Sequence, residues 1–279
     1  MPQDSPLFPP AATPLSMQAL GQGPQASRWR TEAMRSHAAP RLIYFARGQG
    51  RITIAGLTSG YGPNNLIFVP AQTMYGFEIG QGVFGQIISL PAAMAPEWPG
   101  TPIHLRLRDV AAQKELSALL EGLERELISE RAHARRAAHY HAGLLSVFFA
   151  RQAAAQTVDP NRARAQTGAA RLVAAYTGLV ERDFRSDRGV ADYAADLGVT
   201  PTHLTRCCRQ TCGKSALGLL ADRRHYEACR LLRETRVPVQ QIALGTGFQS
   251  AAYFSRAFQA RAGISPSAFR RADAAPQHR

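Results

Sequence analysis

The spacing of apolar residues changes along the chain and divides it into a β-rich half and a helical half. Between residues 28 and 90, short apolar runs are separated by turns rich in Gly, Ser, Pro and Asn, a pattern typical of an antiparallel sandwich or small barrel. These runs lie at 41–46, 51–55, 65–70, 75–79 and 84–90. From Val110 the period becomes helical, with leucines on one face as far as Ser129 and a second apolar stretch at 141–150. The pattern predicts a β-domain, then a helix pair, then further helices joined by short turns.

The C-terminal helical region contains an internal repeat with a shift of fifty residues. In each copy a short helix and a glycine-containing turn precede a second helix, which is the helix-turn-helix pattern. Thr200 and Ser250 are predicted N-caps, and Gly213 and Gly263 are predicted left-handed helix stops. A long amphipathic helix over 216–234 is expected to join the copies. The apolar pairs that repeat on the buried face are Leu204 with Phe254 and Cys208 with Phe258.

The basic charge of the protein is concentrated in this repeated region. Formal net charge is +13 at pH 7. Residues 1–160 carry 14 basic and 11 acidic side chains, whereas residues 161–279 carry 19 and 9. A basic C-terminal half is what a polyanion-binding surface needs. On charge alone, a solvated surface in an arginine-rich protein stays open as an alternative.

The second helix of each copy, at about 201–211 and 251–262, is predicted to read duplex DNA in the major groove. Arginine can read guanine through two hydrogen bonds, while Ala251 and Ala252 offer only methyl groups to a base. We therefore expect most base discrimination from the first helix, with Arg256 as the one strong base contact of the second. The candidate DNA-binding residues are Thr202, His203, Thr205, Arg206 and Arg209 in the first copy and Gln249, Ser250, Ala251, Ser255 and Arg256 in the second.

Between Arg224 and Arg270 the order and spacing of residues resemble a known family. The motifs are R-x-x-x-A-x-x-L-L, then I-A-x-x-x-G-F, then S-x-x-x-F-x-R-x-F, then G-x-S-P-x-x-F-R. They resemble the C-terminal DNA-binding domain of the AraC/XylS family of bacterial transcription regulators. The chain departs from that pattern at Gln259, where many members have Lys, and at the Cys207–Cys208 pair, where larger apolar residues are usual. These departures suggest one weaker phosphate contact and a less tightly filled first subdomain.

The N-terminal half is similar, more loosely, to the cupin-like sensor domain of the same family. The matching features are His37, the Y-x-x-x-G-x-G stretch from Tyr44 to Gly50, the turn GPNN, and IFVP ahead of Tyr75. The resemblance implies an α+β two-domain protein, with an N-terminal cupin-like β-barrel sensor, a helical dimerisation segment, and a C-terminal all-α domain with two helix-turn-helix motifs. The expected boundaries are a disordered tail at 1–27, the sensor and dimerisation domain at 28–150, a linker at 151–166, the DNA-binding domain at 167–271 and a tail at 272–279.

The predicted sensor pocket lacks the residues of a metal centre. Metal-dependent cupins need several histidines and a carboxylate on one cation, but here only His37 is retained and Tyr75 stands where a second histidine is usual. We expect no metal, no cofactor and no catalytic residue, and instead an organic-ligand site. The candidate effector-binding residues are Arg41, Tyr44, Tyr75 and Phe77. Arg41 would pair with a carboxylate if the effector is an acid; otherwise it faces water.

Together these features predict a transcription regulator, an activator in the family pattern, and not an enzyme. Its expected partners are double-stranded DNA, a small organic effector, a second copy of the chain and, for an activator, RNA polymerase. No apolar run is long enough to cross a membrane and no signal peptide is recognisable, so we expect a cytoplasmic protein without a membrane partner. Cys207, Cys208 and Cys212 are expected to be structural. Two alternatives stay open, an effector-independent architectural DNA-binding protein and a cupin-type enzyme with an attached DNA-binding module.

Overall fold

A computed structural model describes residues 13–20, 28–80, 82–156 and 160–272. Most of the predicted N-terminal tail and residues 273–279 of the predicted C-terminal tail lie outside these residues. Within them, no helix combines the length and the apolar character that crossing a membrane requires.

The N-terminal domain is built from antiparallel strands in two sheets. The five-stranded sheet has the order β1-β7-β2-β5-β8 and the three-stranded sheet the order β4-β3-β6. Among the described residues the two sheets share no strand pairing, so the predicted barrel is an open sandwich rather than a closed cylinder. The strands are β1 (Ser16–Leu20), β2 (Arg41–Arg47), β3 (Gly50–Ile54), β4 (Leu57–Tyr61), β5 (Asn65–Val69), β6 (Tyr75–Phe77), β7 (Phe84–Ser89) and β8 (Ile103–Arg106).

Three strands correct the predicted organisation. β1 lies inside the segment that was expected to be a disordered tail, because it pairs along its whole length with β7. β4 lies in the segment between the second and third apolar runs, where it pairs with β3. β8 closes the other edge of the large sheet against β5. Each of these strands has a weak apolar pattern of its own and is held mainly by ladder hydrogen bonds to a stronger neighbour.

Strand alternation sends the side chains of β2 into two different cores. Ile43 and Phe45 lie between the two sheets, together with Ile52, Tyr61 and Phe77. On the opposite face of β2, Leu42 and Tyr44 belong to the core beneath the helices. This follows from the two-residue period of a strand, which places successive side chains on opposite faces.

Two long helices, α2 (Val110–Leu127) and α3 (Ala134–Ala155), cover the outer face of the large sheet. The leucine stripe of α2 and the apolar residues of α3 form this core with Trp98 and Phe68, whose rings stack at 5.3 Å. The helices approach closely where the ring of His141 lies against Gly122. His141 is therefore half-buried between the two helices.

The predicted linker at 151–166 is largely helical. α3 extends through its first residues to Ala155, and α4 (Pro160–Ala165) occupies most of the remainder. A short α1 (Arg28–Thr31) precedes β2. The helices of the C-terminal domain are α5 (Gly168–Asp183), α6 (Val190–Asp196), α7 (Pro201–Cys212), α8 (Ala216–Glu234), α9 (Val239–Gly245), α10 (Ala251–Ala262) and α11 (Pro266–Arg271).

The C-terminal domain has two apolar cores joined by α8. The first core contains Leu204, Cys208 and Leu219, and the second contains Leu231, Phe254 and Phe258. The first half of α8 packs in one core and its last turns pack in the other, so α8 is shared by the two subdomains. Cys208 and Phe258 fill equivalent core positions, as the repeat predicts.

The N-terminal domain contacts both subdomains. Trp29 of α1 packs against Tyr226 of α8 and Phe269 of α11, at ring distances of 5.8 and 5.9 Å. On the other side, Met34 and Met74 join the core of the first subdomain. The sensor domain therefore packs against both subdomains of the C-terminal domain.

Candidate nucleic-acid interface and effector site

Both predicted helix-turn-helix units form with the same local geometry. The Thr200 hydroxyl accepts a hydrogen bond from the His203 N–H at 3.2 Å, and the Ser250 hydroxyl accepts one from the Tyr253 N–H at 3.4 Å. α7 and α10 each contain twelve residues. They end at glycines in the left-handed region, with φ of 73° at Gly213 and 76° at Gly263. The sequence repeat therefore corresponds to a structural repeat, caps included.

The solvent-facing sides of α7 and α10 carry equivalent positions. Arg206 and Arg256 are exposed at the centre of these faces, flanked by Thr205 and Ser255, which are half-buried. The remaining equivalent pairs on these faces are Thr202 with Ala252, His203 with Tyr253, Arg209 with Gln259 and Gln210 with Ala260. Since buried residues of both helices point into the two cores, these faces are the surfaces that a DNA groove can reach.

Three arginines on these faces have no acidic partner. Among the described residues, no carboxylate oxygen lies within 4 Å of the guanidinium groups of Arg206, Arg209 or Arg256. Arg206 donates a hydrogen bond to His203 Nδ1 at 3.0 Å, which keeps both side chains on the outer face of α7. A shallow cleft of about 400 Å³ is lined by Pro201, Thr202, Thr205, Arg206 and Arg209. This surface can accept phosphate oxygens or guanine acceptor atoms.

The second unit differs in detail from the prediction. Ala251 is half-buried against the second core, so Ala252 is the alanine that faces outward. Gln249 is exposed but its amide donates to Asp187 of the first subdomain at 3.4 Å. The hydroxyl of Ser250 is engaged in the cap. Tyr253, which the sequence reasoning did not select, is 59% exposed on the outer face of α10, and its match to His203 in the repeat was the available signal.

Other arginines of the domain hold α8 to the first subdomain. Arg224 donates to the backbone carbonyls of Phe184, Ser186 and Arg188 at 2.8–3.0 Å. The buried carboxylate of Glu227 accepts hydrogen bonds from Arg230 and Arg223. Burial raises the pKa of Glu227, but these arginines outweigh burial and hold it at about 2.

The four predicted effector residues do not form one site. Tyr44 lies on the helix-covered face of β2, where its hydroxyl donates to Asn64 at 3.0 Å. Arg41, Tyr75 and Phe77 lie on the inner side, so Tyr44 is separated from them by the thickness of the sheet. The space between the sheets is filled by side chains, including the stacked rings of Phe45 and Tyr61 at 3.7 Å. Alternation along β2 is the physical reason for the separation.

Arg41 and Tyr75 instead meet at His37, beside α8. Arg41 donates to His37 Nδ1 at 3.1 Å, and the His37 ring lies 5.8 Å from Tyr75 and 6.4 Å from Tyr226 of α8. Burial, then the charges of Arg41, Arg35 and two arginines of α8, lower the pKa of His37 well below its ordinary value. His37 is therefore neutral at pH 7 and does not repel its neighbours.

Two positive charges in this cluster lack an acidic partner. Arg35 is buried and lies over the rings of Tyr75 and Phe77, with its guanidinium 4.4 and 4.9 Å from their centres. Arg41 Nε is buried with no hydrogen-bond partner. Among the described residues no carboxylate oxygen lies within 4 Å of either guanidinium. Arg35 donates to the carbonyl of Thr31 at 2.7 Å and Arg41 is half-buried, but neither positive charge is neutralised by a carboxylate of the described residues, so this cluster can accept an anion.

A second concave surface lies at the far end of the large sheet. This groove of about 910 Å³ is bounded by the end of β4, by β8 and by the C-terminal turn of α3. Gln156 bridges the last two elements, because its amide accepts from Arg106 N and donates to His104 O. Arg106 and Arg108 are exposed at its rim.

Comparison with known proteins agrees with both halves of this architecture. An AraC-like ligand binding domain matches residues 21–145, and a helix-turn-helix domain matches residues 193–272. The HTH-type transcriptional activator AarP of Providencia stuartii is 34% identical over 94 residues, which cover 34% of this chain and 70% of that protein. This chain belongs to the AraC/XylS family of transcription regulators.

The chain spans less than a third of the length of the first curated relatives that it matches. The arabinose operon regulatory protein of Escherichia coli K12 is 36% identical over 85 residues, covering 30% of this chain and 29% of that protein. Among solved structures, ToxT of Vibrio cholerae with a bound unsaturated fatty acid has a TM-score of 0.44 at 12% identity, covering 93% of this chain and 92% of that one. The C-terminal domain of AraT from Geobacillus stearothermophilus has a TM-score of 0.35 at 28% identity, covering 40% of this chain and 94% of that domain.

The two departures from the AraC/XylS pattern have structural consequences. Cys207, Cys208, Cys212 and Cys229 are all buried free thiols, as expected for structural residues. Burial raises the pKa of Cys208 to about 12, which leaves it protonated and unreactive at pH 7. Gln259 is exposed on α10 at the position where α7 carries Arg209. The outer face of α10 therefore presents one arginine fewer than that of α7, because Arg261 of α10 contacts Asp222.

Proposed function

We propose that this protein is a sequence-specific DNA-binding transcription regulator that reads one duplex with α7 and α10. The observation that carries the proposal is the matched pair of exposed helix faces, with the unpaired Arg206 and Arg256 at their centres. Two recognition helices that enter successive major grooves on one face of a duplex lie about one DNA turn, or roughly 34 Å, apart. This proposal requires no catalytic residues.

Selection of bound sequences from random duplex DNA tests it. The full chain should enrich a site with two half-elements centred about one turn, or roughly 34 Å, apart. Tight binding with no shared sequence would contradict specific recognition and favour an architectural DNA-binding protein. Elemental analysis of the purified protein addresses the enzymatic alternative, since one transition-metal ion per chain would favour a metal-dependent cupin.

We also propose that a small organic acid is the effector and that its carboxylate binds Arg35 and Arg41. The two guanidiniums without an acidic partner among the described residues support this, and a carboxylate is the anion whose geometry fits a guanidinium fork. The cluster lies between the sensor strands and Tyr226 of α8, so a bound acid would contact both domains. Its apolar part would lie against Tyr75, Phe77 or Tyr226.

A thermal-shift screen of aliphatic and aromatic acids, with their neutral amides as controls, tests this proposal. An acid that raises the melting temperature should lose affinity about tenfold or more in Arg41→Gln, since hydrogen bonds to charged groups contribute about 1.5–3 kcal/mol. Without ligand, Arg41→Gln should lower the melting temperature only slightly, because it loses the hydrogen bond to His37, which contributes about 0.5–1.5 kcal/mol, and no ion pair. Arg106→Gln at the groove is the matched control. Loss of binding in Arg106→Gln alone would place the effector in the groove instead.

We further propose that the chain is a homodimer through α3. Tyr140, Leu144 and Val147 are 67%, 56% and 44% exposed and lie on one side of that helix. An apolar stripe of this kind on a helix suits a partner helix. RNA polymerase is a proposed partner if the protein activates transcription.

A further inference from the structure

Asp222 is a buried carboxylate on α8 between the two subdomain cores. Its side chain is 2% exposed. Leu219 and Leu220, just before it, belong to the first core, whereas Ala228 and Cys229 after it belong to the second. A carboxylate in this position needs compensating charges to remain ionised.

Two cations from different subdomains provide that compensation. Lys214, which directly follows Gly213 at the end of α7, donates from Nζ to Asp222 Oδ2 at 2.5 Å. Arg261, in the last turn of α10, places Nη2 against Asp222 Oδ1. One carboxylate on α8 thus contacts the C-terminal ends of both recognition helices.

The N-terminal end of α10 has a separate attachment to the first subdomain. Gly247, in the turn before α10, lies so close to the α5–α6 loop that a Cβ there would come within 2.3 Å of Ser186 O. Gln249 donates to Asp187 of the same loop. These two attachments, together with the packing of Phe254 and Phe258 in the second core, set the angle of α10 to α7. Loss of the Asp222 contact would leave the Gly247 contact and the core to hold that angle. Lys214 and Arg261 would then also face each other as like charges.

We propose that Asp222 is a positioning residue that fixes the angle and distance between α7 and α10, and thereby determines which spacing of half-elements the protein accepts. This inference rests on the proposed reading of one duplex by both helices. A rigid pair of helices penalises DNA that must be twisted or bent to fit, whereas a pivoting pair does not.

The test compares full-length wild type and Asp222→Asn on operators whose half-elements stand at the optimal spacing, one base pair closer, and one or two base pairs farther apart. Wild type should lose about tenfold or more in affinity away from the optimum, because each base pair rotates the second half-element around the helix axis. Asp222→Asn should keep its affinity at the optimum within about threefold and lose less than about threefold elsewhere. Asp196→Asn, which removes an exposed partner of Arg188 within one subdomain, is the matched control and should keep the wild-type profile.

Arg261→Gln is a second variant for the case that Asp222→Asn does not fold. It removes the contact with α10 but leaves the buried Asp222–Lys214 pair intact. It should flatten the spacing profile in the same way without changing the dependence of affinity on salt. A uniform loss at all spacings together with a smaller salt dependence would make Arg261 a phosphate ligand and overturn the proposal. A sharp wild-type optimum retained by Asp222→Asn would overturn only the role of Asp222. Equal wild-type affinity at all spacings would overturn the two-helix reading and this inference together.

Discussion

At the scale of single residues, the arginines of the C-terminal domain divide into two groups by their partners. Arg223 and Arg224 are held by carboxylates and backbone carbonyls of the first subdomain, so they fix helices in place. Arg206 and Arg256 are exposed without acidic partners. Because a guanidinium that is already paired must give up that pair before binding DNA, only the second group is available for recognition.

We predict unequal roles for the two exposed arginines. Arg206→Ala should relax sequence preference at one or two operator positions by about 1–3 kcal/mol, because Thr202 and Thr205 flank it on a face that can read bases. Loss of the phosphate contacts of α10 should instead weaken all sites alike and reduce the salt dependence. Affinities of Arg206→Ala and Arg256→Ala are measured on matched and altered operators at two salt concentrations. If Arg256→Ala relaxes specificity while Arg206→Ala lowers affinity uniformly, the assignment is reversed.

We predict that His225 makes the DNA-binding domain less stable in mild acid. Its ring packs against Phe258 at 5.1 Å, and burial lowers its pKa from 6.5 to about 4. The unfolded chain therefore binds a proton that the folded chain does not as pH falls from 6.5 towards 4. The stability that neutral His225 contributes is complete above pH 6.5 and decreases by at most about 3 kcal/mol as pH approaches 4.

Urea unfolding of wild type and His225→Leu between pH 8 and pH 4 measures this effect. The variant should show a smaller decrease in unfolding free energy over that interval, because leucine keeps the contact with Phe258 and does not titrate. Equal pH dependence in the two proteins would contradict the prediction. The remaining slope in the variant would belong to other groups, including His37, whose pKa is also lowered by burial.

At the scale of elements, the two helix-turn-helix units are similar in geometry but differ in their surroundings. Gly213 and Gly247 both have positive φ, 73° and 79°. No atom would meet a Cβ at Gly213 within 4 Å, whereas a Cβ at Gly247 would meet the Ser186 and Phe184 carbonyls at 2.3 and 2.6 Å. At Gly213, glycine is needed only for the left-handed backbone conformation. At Gly247 the missing side chain also allows the second unit to pack closely on the first.

We predict that Gly247→Ala destabilises the protein more than Gly213→Ala. The left-handed backbone costs either alanine about 1–2 kcal/mol. At Gly247 the clash with two backbone carbonyls adds about 1–3 kcal/mol, because main-chain atoms cannot move aside as a flexible side chain can. Chemical denaturation of the two variants gives the comparison. Equal loss in both would show that the close approach at Gly247 relaxes without cost.

At the scale of the whole molecule, the sensor domain is positioned to act on both DNA-reading units. Trp29 packs against Tyr226 and Phe269 in the second subdomain, while Gly56 lies against Val173 in the first. Arg35 and Arg41, which have no acidic partner among the described residues, lie around His37 and Tyr75, close to Tyr226 of α8. An anion bound there would therefore change the charge at the contact between the sensor domain and the DNA-binding domain.

We predict that the proposed homodimer depends on the exposed side of α3. Leu144→Arg places a charge in the apolar stripe and should shift the protein to monomer at micromolar concentration, because a charge buried without a partner costs about 3–5 kcal/mol. His139→Arg, on a different exposed side of the same helix, should remain dimeric. Sedimentation velocity of wild type, Leu144→Arg and His139→Arg measures the oligomeric state of each. A Leu144→Arg protein that is still dimeric would place the contact elsewhere.

The sequence by itself determined the features that depend on local chemistry. The fifty-residue repeat, the capping roles of Thr200 and Ser250 and the left-handed stops at Gly213 and Gly263 could be predicted because each depends on neighbours within a few residues. The same holds for the bounds of α8 and α10, which agree with the predicted segments.

Only the tertiary structure decided features that depend on contacts across the chain. β1 could not be predicted because its stability comes from pairing with β7, seventy residues away, and not from its own pattern. The opposite facing of Tyr44 and Arg41 follows from strand alternation once β2 is placed, whereas the burial of Ala251 required the packing of whole elements. The sequence also shows every arginine but not its partners, so it could not separate Arg206 from Arg224. Partner choice is made by distances of a few ångströms between residues far apart in sequence, and these distances exist only once the chain has folded.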